Sequence, residues 1–238
     1  MAQGDPLANG RGVVGRRGGA FVRNGARGGD RELSEAAVKL GFVGPAHGDL
    51  VRLRALCERL LFEVKVDRVY HLGSDDSLDR AMVGWAERLG APRDDEALLD
   101  EVALLAPDAP AEVLEALLAR EAVRARLSDV TDLTAASGCR VEMADDRLVL
   151  FAHDRARPDD DDLANALVVV QGSHPRPDLQ VANGRVILMP GDVSRGGHMG
   201  LIERVGDRLR VAVLDGRGRT AREASVPLRG APHLEVRA

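Results

Sequence analysis

The sequence predicts an α/β protein on three observations: a strand-helix-strand start, a second half of short apolar runs, and 45% hydrophobic residues in a chain of 238. That length and content support a sizeable core. From Val38, "VKLGFVG" reads as a strand, followed by a helix over about 49–62, the strand "DRVYHLG" and a helix over about 77–88. Such a unit favours a parallel pair with a right-handed crossover, and ligands of parallel sheets gather at the C-terminal ends of the strands. Residues 95–130 read as helical, with Asp108 and Pro110 as start signals and Val113, Leu114, Leu117, Leu118, Val123 and Leu127 giving an apolar face. Six strand candidates follow: "CRVEMA", "RLVLFAH", "ALVVVQG", "GRVILMPG", "GLIERV" and "LRVAVLDG". The turns "ADDR", "ANGR" and "VGDR" between them are hairpin signals, Asn183-Gly184 being the clearest because a type I′ turn needs positive φ. The pattern implies two packed sheets or one mixed sheet, flanked by helices.

Composition excludes several classes of function. Aromatics are 3% of the chain, too few for stacking platforms that bind single-stranded nucleic acid. The net charge of -5 is modest and both signs are interspersed, so no electrostatic footprint points to nucleic acid or membrane. Cys57 and Cys139 lack CxxC spacing and read as small buried apolar residues. No apolar run reaches 18 residues and no signal-peptide core opens the chain, so a cytoplasmic protein is expected.

Residues 1–36 are rich in Gly and Arg with little apolar periodicity, and disorder is expected there to about Leu33. An Arg-Gly segment can bind nucleic acid electrostatically, but without interleaved aromatics a dispensable extension or an upstream start fits it better. Its "GRGVVGRRGG" follows no strand and precedes no helix, unlike a phosphate-binding loop.

Four strands end in a short polar turn that holds a possible metal ligand: His47 in "GPAHGD", Asp75 in "HLGSDD", His153 in "LFAHD" and His174 in "QGSHPRP". With "LMPGD" at 188–192, this order resembles the calcineurin-like metallophosphoesterase superfamily, particularly its small bacterial phosphodiesterase branch. The resemblance runs from about 38 to 215. It implies a two-sheet α/β/β/α sandwich over 37–238, with a helical insertion at about 92–130. The family motifs run Asp-x-His, Gly-Asp, Gly-Asn-His-Asp/Glu, a lone His, and Gly-His-Thr-His, and they assemble two divalent metals around a bridging hydroxide that attacks phosphorus. Here Pro45 stands at the first Asp, Ser74 at the bridging Asp, and Ser173 and Pro175 at the last two histidines. The Gly-Asn-His-Asp/Glu motif has no counterpart, the insertion taking its place.

The resemblance therefore implies a degenerate member, without a competent dimetal centre, that binds an unknown protein partner through the helical insertion. The alternative is a metal-dependent phosphoesterase with a reduced site on His47, Asp75, His153 and His174, holding a single Mn or Zn ion. Simpler roles are open to the same residues. His47 can satisfy loop backbone groups, His71 can be a packed strand residue, and Asp75 and Asp76 can cap the helix at Ser77, Asp76 being the better fit. Residues 159–162 read as a solvated helix start, His198 as part of a surface loop and His233 as incidental.

Overall fold

The computed structural model describes residues 39–89, 95–105, 107–133, 138–145, 147–228 and 235–237. The Gly/Arg-rich segment 1–36 and His233 lie outside them.

Strand β1 (Leu40–Val43) leads through a turn into helix α1 (Leu50–Glu58). Asp49 caps that helix, its side chain accepting from the Arg52 N–H at 3.2 Å. The helix continues as a π-helical segment, Arg59–Val64, and stops at Lys65, whose φ of 61° is a left-handed C-terminal conformation. Strand β2 (Arg68–His71) then pairs parallel to β1. Helices α2 (Ser77–Leu89), α3 (Asp95–Leu105) and α4 (Ala111–Leu127) follow, and β3 (Val130–Asp132) returns parallel beside β2. This last strand starts where the stretch expected to be helical ends and was not expected, because three residues carry too little alternation to be read from sequence.

The second half is β4 (Cys139–Ala144), β5 (Arg147–Ala152), a short helix α5 (Asp160–Ala164), β6 (Val168–Gln171), β7 (Asp178–Ala182), β8 (Arg185–Met189), β9 (Met199–Val205), β10 (Arg208–Leu214), β11 (Thr220–Pro227) and β12 (Glu235–Arg237). Two sheets result, one ordered β12-β11-β10-β9-β1-β2-β3 and the other β4-β5-β6-β8-β7. Of the two arrangements open from sequence, the molecule adopts the two-sheet one. The hairpin turns behave as their residues require: Asp145, Asn183, Gly184 and Gly206 all have positive φ.

Alternation of side chains sorts each strand between two layers. The layer between the sheets is built on Phe42, Tyr70 and Phe151, with ring centroids 4.8–5.7 Å apart, and on Val149, Val168, Val170, Leu188, Val211 and Val213. Full burial of each such side chain contributes about 1.5–3 kcal/mol. On the outer face of the seven-stranded sheet, Leu53, Leu56, Cys57, Leu60, Trp85 and Leu127 pack from α1, its π-helical extension, α2 and α4. Helix α5 covers part of the other sheet, over Leu150 and Val169. The layer order is thus helix, sheet, sheet, helix. Of the two cysteines expected to be buried, Cys57 is, whereas Cys139 on the edge strand β4 is partly exposed. No helix among the described residues is long and apolar enough to cross a membrane.

Candidate functional site

The C-terminal ends of the parallel strands of both sheets meet along one edge, and backbone hydrogen bonds join them. The Asp154 N–H donates to the Leu72 carbonyl at 2.9 Å, the Val193 N–H to the Pro45 carbonyl at 2.9 Å, and the Asp192 N–H to the Pro175 carbonyl at 3.2 Å. Glycines permit that closeness. A Cβ at Gly44 would stand 1.9 Å from the Gly191 carbonyl oxygen, and one at Gly172 would stand 2.5 Å from the Leu72 oxygen. All four histidine and aspartate positions singled out in the sequence follow strands that end at this edge.

They do not share one environment. His47 occupies a turn with φ of 50° and is half exposed, its Nε2 3.6 Å from Oδ1 of the largely buried Asp192. That carboxylate also faces Arg195 Nε at 3.3 Å. Pro45, two residues earlier, is buried and offers the edge its backbone carbonyl alone.

Asp75 accepts the Ser77 N–H at 3.0 Å, so it, and not Asp76, caps α2; Asp76 instead lies 3.6 Å from Arg80. Partial burial opposes ionisation of Asp75. The Ser77 hydroxyl and N–H, helped by His71 and His47, outweigh that and hold its pKa below the usual carboxylate value.

At His153, Nδ1 accepts two backbone N–H groups, from Arg155 at 2.9 Å and Ala156 at 3.0 Å. The ring proton is therefore assigned to Nε2, and neither nitrogen presents a free lone pair. Asp154 Oδ1 at 3.6 Å from Nδ1 is too distant to compete for that nitrogen. His174 is exposed, with Nδ1 2.8 Å from the Arg176 carbonyl.

Asp75 and His153 do line one pocket, of about 330 Å³, together with Ser74, Asp76, Asp79 and Asp132. Four carboxylates on its walls oppose entry of a phosphate anion. Behind it lies a pair that the sequence reading missed. His71 is fully buried at the end of β2, and its Nδ1 is 2.6 Å from Asp132 Oδ1 at the end of β3, where the parallel register sets the two residues side by side. His71 was expected to be a packed strand residue, and it is one, but its acceptor comes from a strand too short to be recognised. Its Nε2 has no hydrogen-bond partner among the described residues. A Cβ at Gly73 would stand 2.7 Å from that nitrogen.

The residues present do not fit the two-metal centre of metallophosphoesterases. Pro45 supplies no side-chain donor, His153 Nδ1 is committed to two backbone N–H groups, and His174 Nδ1 is turned to a loop carbonyl. Among the described residues no group of three His, Cys, Asp or Glu side chains is placed to hold a metal ion.

No family model and no curated protein matches the chain. Similar solved structures include a predicted phosphoesterase from Streptococcus pneumoniae, 14% identical over 84% of this chain and 98% of that one, at a TM-score of 0.46. A second is an archaeal phosphodiesterase, 16% identical over 74% of this chain and 100% of that one, at 0.43. A third is Vps29 from Entamoeba histolytica in complex with zinc, 13% identical over 84% and 98%, at 0.39. At these scores none of the three bears on what the chain does.

Proposed function

We propose that the chain is a degenerate metallophosphoesterase-like protein that works by binding a protein partner and not by dimetal phosphoester hydrolysis. The observation that carries this reading is His153, whose Nδ1 holds two backbone N–H groups where a ligand would present a lone pair. Pro45 at the first carboxylate position agrees with it. Loss of one metal removes several kcal/mol of transition-state stabilisation, and each ~1.4 kcal/mol is tenfold in rate. The acidic pocket adds a further barrier, since four carboxylates line it and no Lys or Arg does. The partner surface in this reading is the helical insertion, which leaves leucines exposed.

The test is hydrolysis of a generic aryl phosphodiester by the full chain with added Mn²⁺ or Zn²⁺, beside a His47→Ala, His153→Ala double variant. The reading expects the two proteins to be indistinguishable. Turnover that depends on metal and is lost in the double variant overturns it in favour of a reduced-site phosphoesterase.

A further inference from the structure

Helices α3 and α4 are tied together by Glu101 and Arg120, whose oxygen and guanidinium nitrogen are 2.6 Å apart. Leu117 and Leu127 of α4 are buried. Other apolar residues of the pair are not. Leu104 is 82% exposed, Leu99 and Leu118 are each 68% exposed, and Val102 and Val113 also reach solvent. Exposed single leucines are ordinary on a protein surface, but five large apolar side chains on one helix pair are not.

The charge on the same segment is one-sided. Residues 95–119 include Asp95, Glu96, Asp100, Glu101, Asp108, Glu112 and Glu115, and no Lys, Arg or His. Of these, Glu96, Asp100, Asp108, Glu112 and Glu115 are exposed. The helix dipole accounts for Glu112 at the start of α4, as it does for Arg124 and Arg126 at its end. It does not account for Asp100 in the middle of α3.

We propose that the α3–α4 pair is a docking surface for a basic amphipathic helix of a partner protein, an inference that rests on the reading of this chain as a binding protein. The exposed apolar side chains, Leu99 with Val102 one turn on among them, offer contact to the apolar face of such a helix, and the exposed carboxylates of the same segment match its Lys or Arg rim. The other occupants fit less well. A second copy would bring the same acidic surface against itself in a two-fold contact, and nucleic acid or an anionic membrane would meet repulsion.

The test measures binding of three labelled peptides of about 18 residues to the full chain by fluorescence anisotropy. One is a Lys/Leu amphipathic helix, one has the same composition with the leucines dispersed, and one replaces Lys by Glu. The expected order is clear binding of the first, roughly tenfold weaker binding of the second and none of the third, with affinity falling as salt rises through the range where the Debye length shortens from ~10 Å toward 3 Å. Leu104→Ser with Leu118→Ser, and separately Asp100→Lys with Glu115→Lys, should each weaken the first peptide about tenfold at unchanged Tm. Binding that neither double variant alters, equal binding of the dispersed peptide, or self-association that the leucine variant abolishes overturns the proposal. Because this assay is independent of metal and hydrolysis, its failure with an inert protein removes this surface alone, while metal-dependent turnover removes the binding reading itself.

Discussion

His71 Nδ1 and Asp132 Oδ1 are 2.6 Å apart, joining the ends of two parallel strands behind an acidic pocket, with the imidazole wholly buried. A buried histidine held by a carboxylate in this way keeps one nitrogen satisfied through its neighbour, and the other has no partner among the described residues. The arrangement makes Asp132 a structural residue of the edge as well as a wall of the pocket.

Asp132→Ala should therefore cost about 1–3 kcal/mol, the penalty for leaving a buried donor unmet. Asp132→Asn keeps an acceptor oxygen and should cost less. Urea denaturation distinguishes them; a loss no larger than that of the exposed Asp79→Ala would contradict the role given to the pair.

Gly73→Ala is expected to destabilise by about 1–3 kcal/mol through overpacking. The added Cβ would stand 2.5 Å from His71 Cε1 and 3.3 Å from the Pro45 Cα. Gly84 in α2 is the internal control, since a Cβ there meets nothing within 4 Å. Gly84→Ala should stabilise by about 0.5–1 kcal/mol. Thermal melts of both variants give the comparison.

The low pKa of Asp75 sets a pH dependence. Its folded value lies below the ordinary 3.8, mainly because the Ser77 hydrogen bonds outweigh burial. A depressed carboxylate adds stability above its unfolded pKa, and that stability disappears as pH falls through the folded value. The stability gap between the parent and Asp75→Asn should be constant from neutral pH to about 5 and close below 3.8. A gap that widens on acidification would contradict the assignment.

Burial, with Glu58 adding a smaller contribution, pushes the Cys57 thiol up to about 12. Thiolate is the reactive form, so Cys57 should resist an aromatic disulfide reagent at pH 8 in the folded protein and react once the chain is unfolded. Cys139, partly exposed, is the site where native labelling is expected. Labelling of Cys57 without unfolding would contradict its place in the core.

The fold was legible wherever periodicity is long or turn chemistry strict. The helix caps at Asp49 and Pro110 and the turn at Asn183-Gly184 follow from residue type. Strands β3, β7, β11 and β12 were not singled out. Val130–Asp132 is too short to alternate, Asp178–Ala182 alternates but over only five residues with just Leu179 and Val181 on its apolar face, and Thr220–Pro227 mixes polar residues into both faces. The site was legible in its location and not in its contacts. The topology brings His47, Asp75, His153 and His174 to one edge, but which nitrogen each histidine presents depends on backbone N–H groups and carbonyls of neighbouring turns. Those partners carry no sequence signature. His71 was read as core for the same reason, because its acceptor Asp132 lies 61 residues away on an unrecognised strand.

Metal stoichiometry decides whether the sheet edge holds a dimetal centre. The full chain, dialysed against Mn²⁺ or Zn²⁺ and then against metal-free buffer, is assayed by inductively coupled plasma mass spectrometry beside the His47→Ala, His153→Ala variant. No stoichiometric pair of retained ions, and the same content in both proteins, is expected. Two ions per chain, lost in the variant, would contradict that.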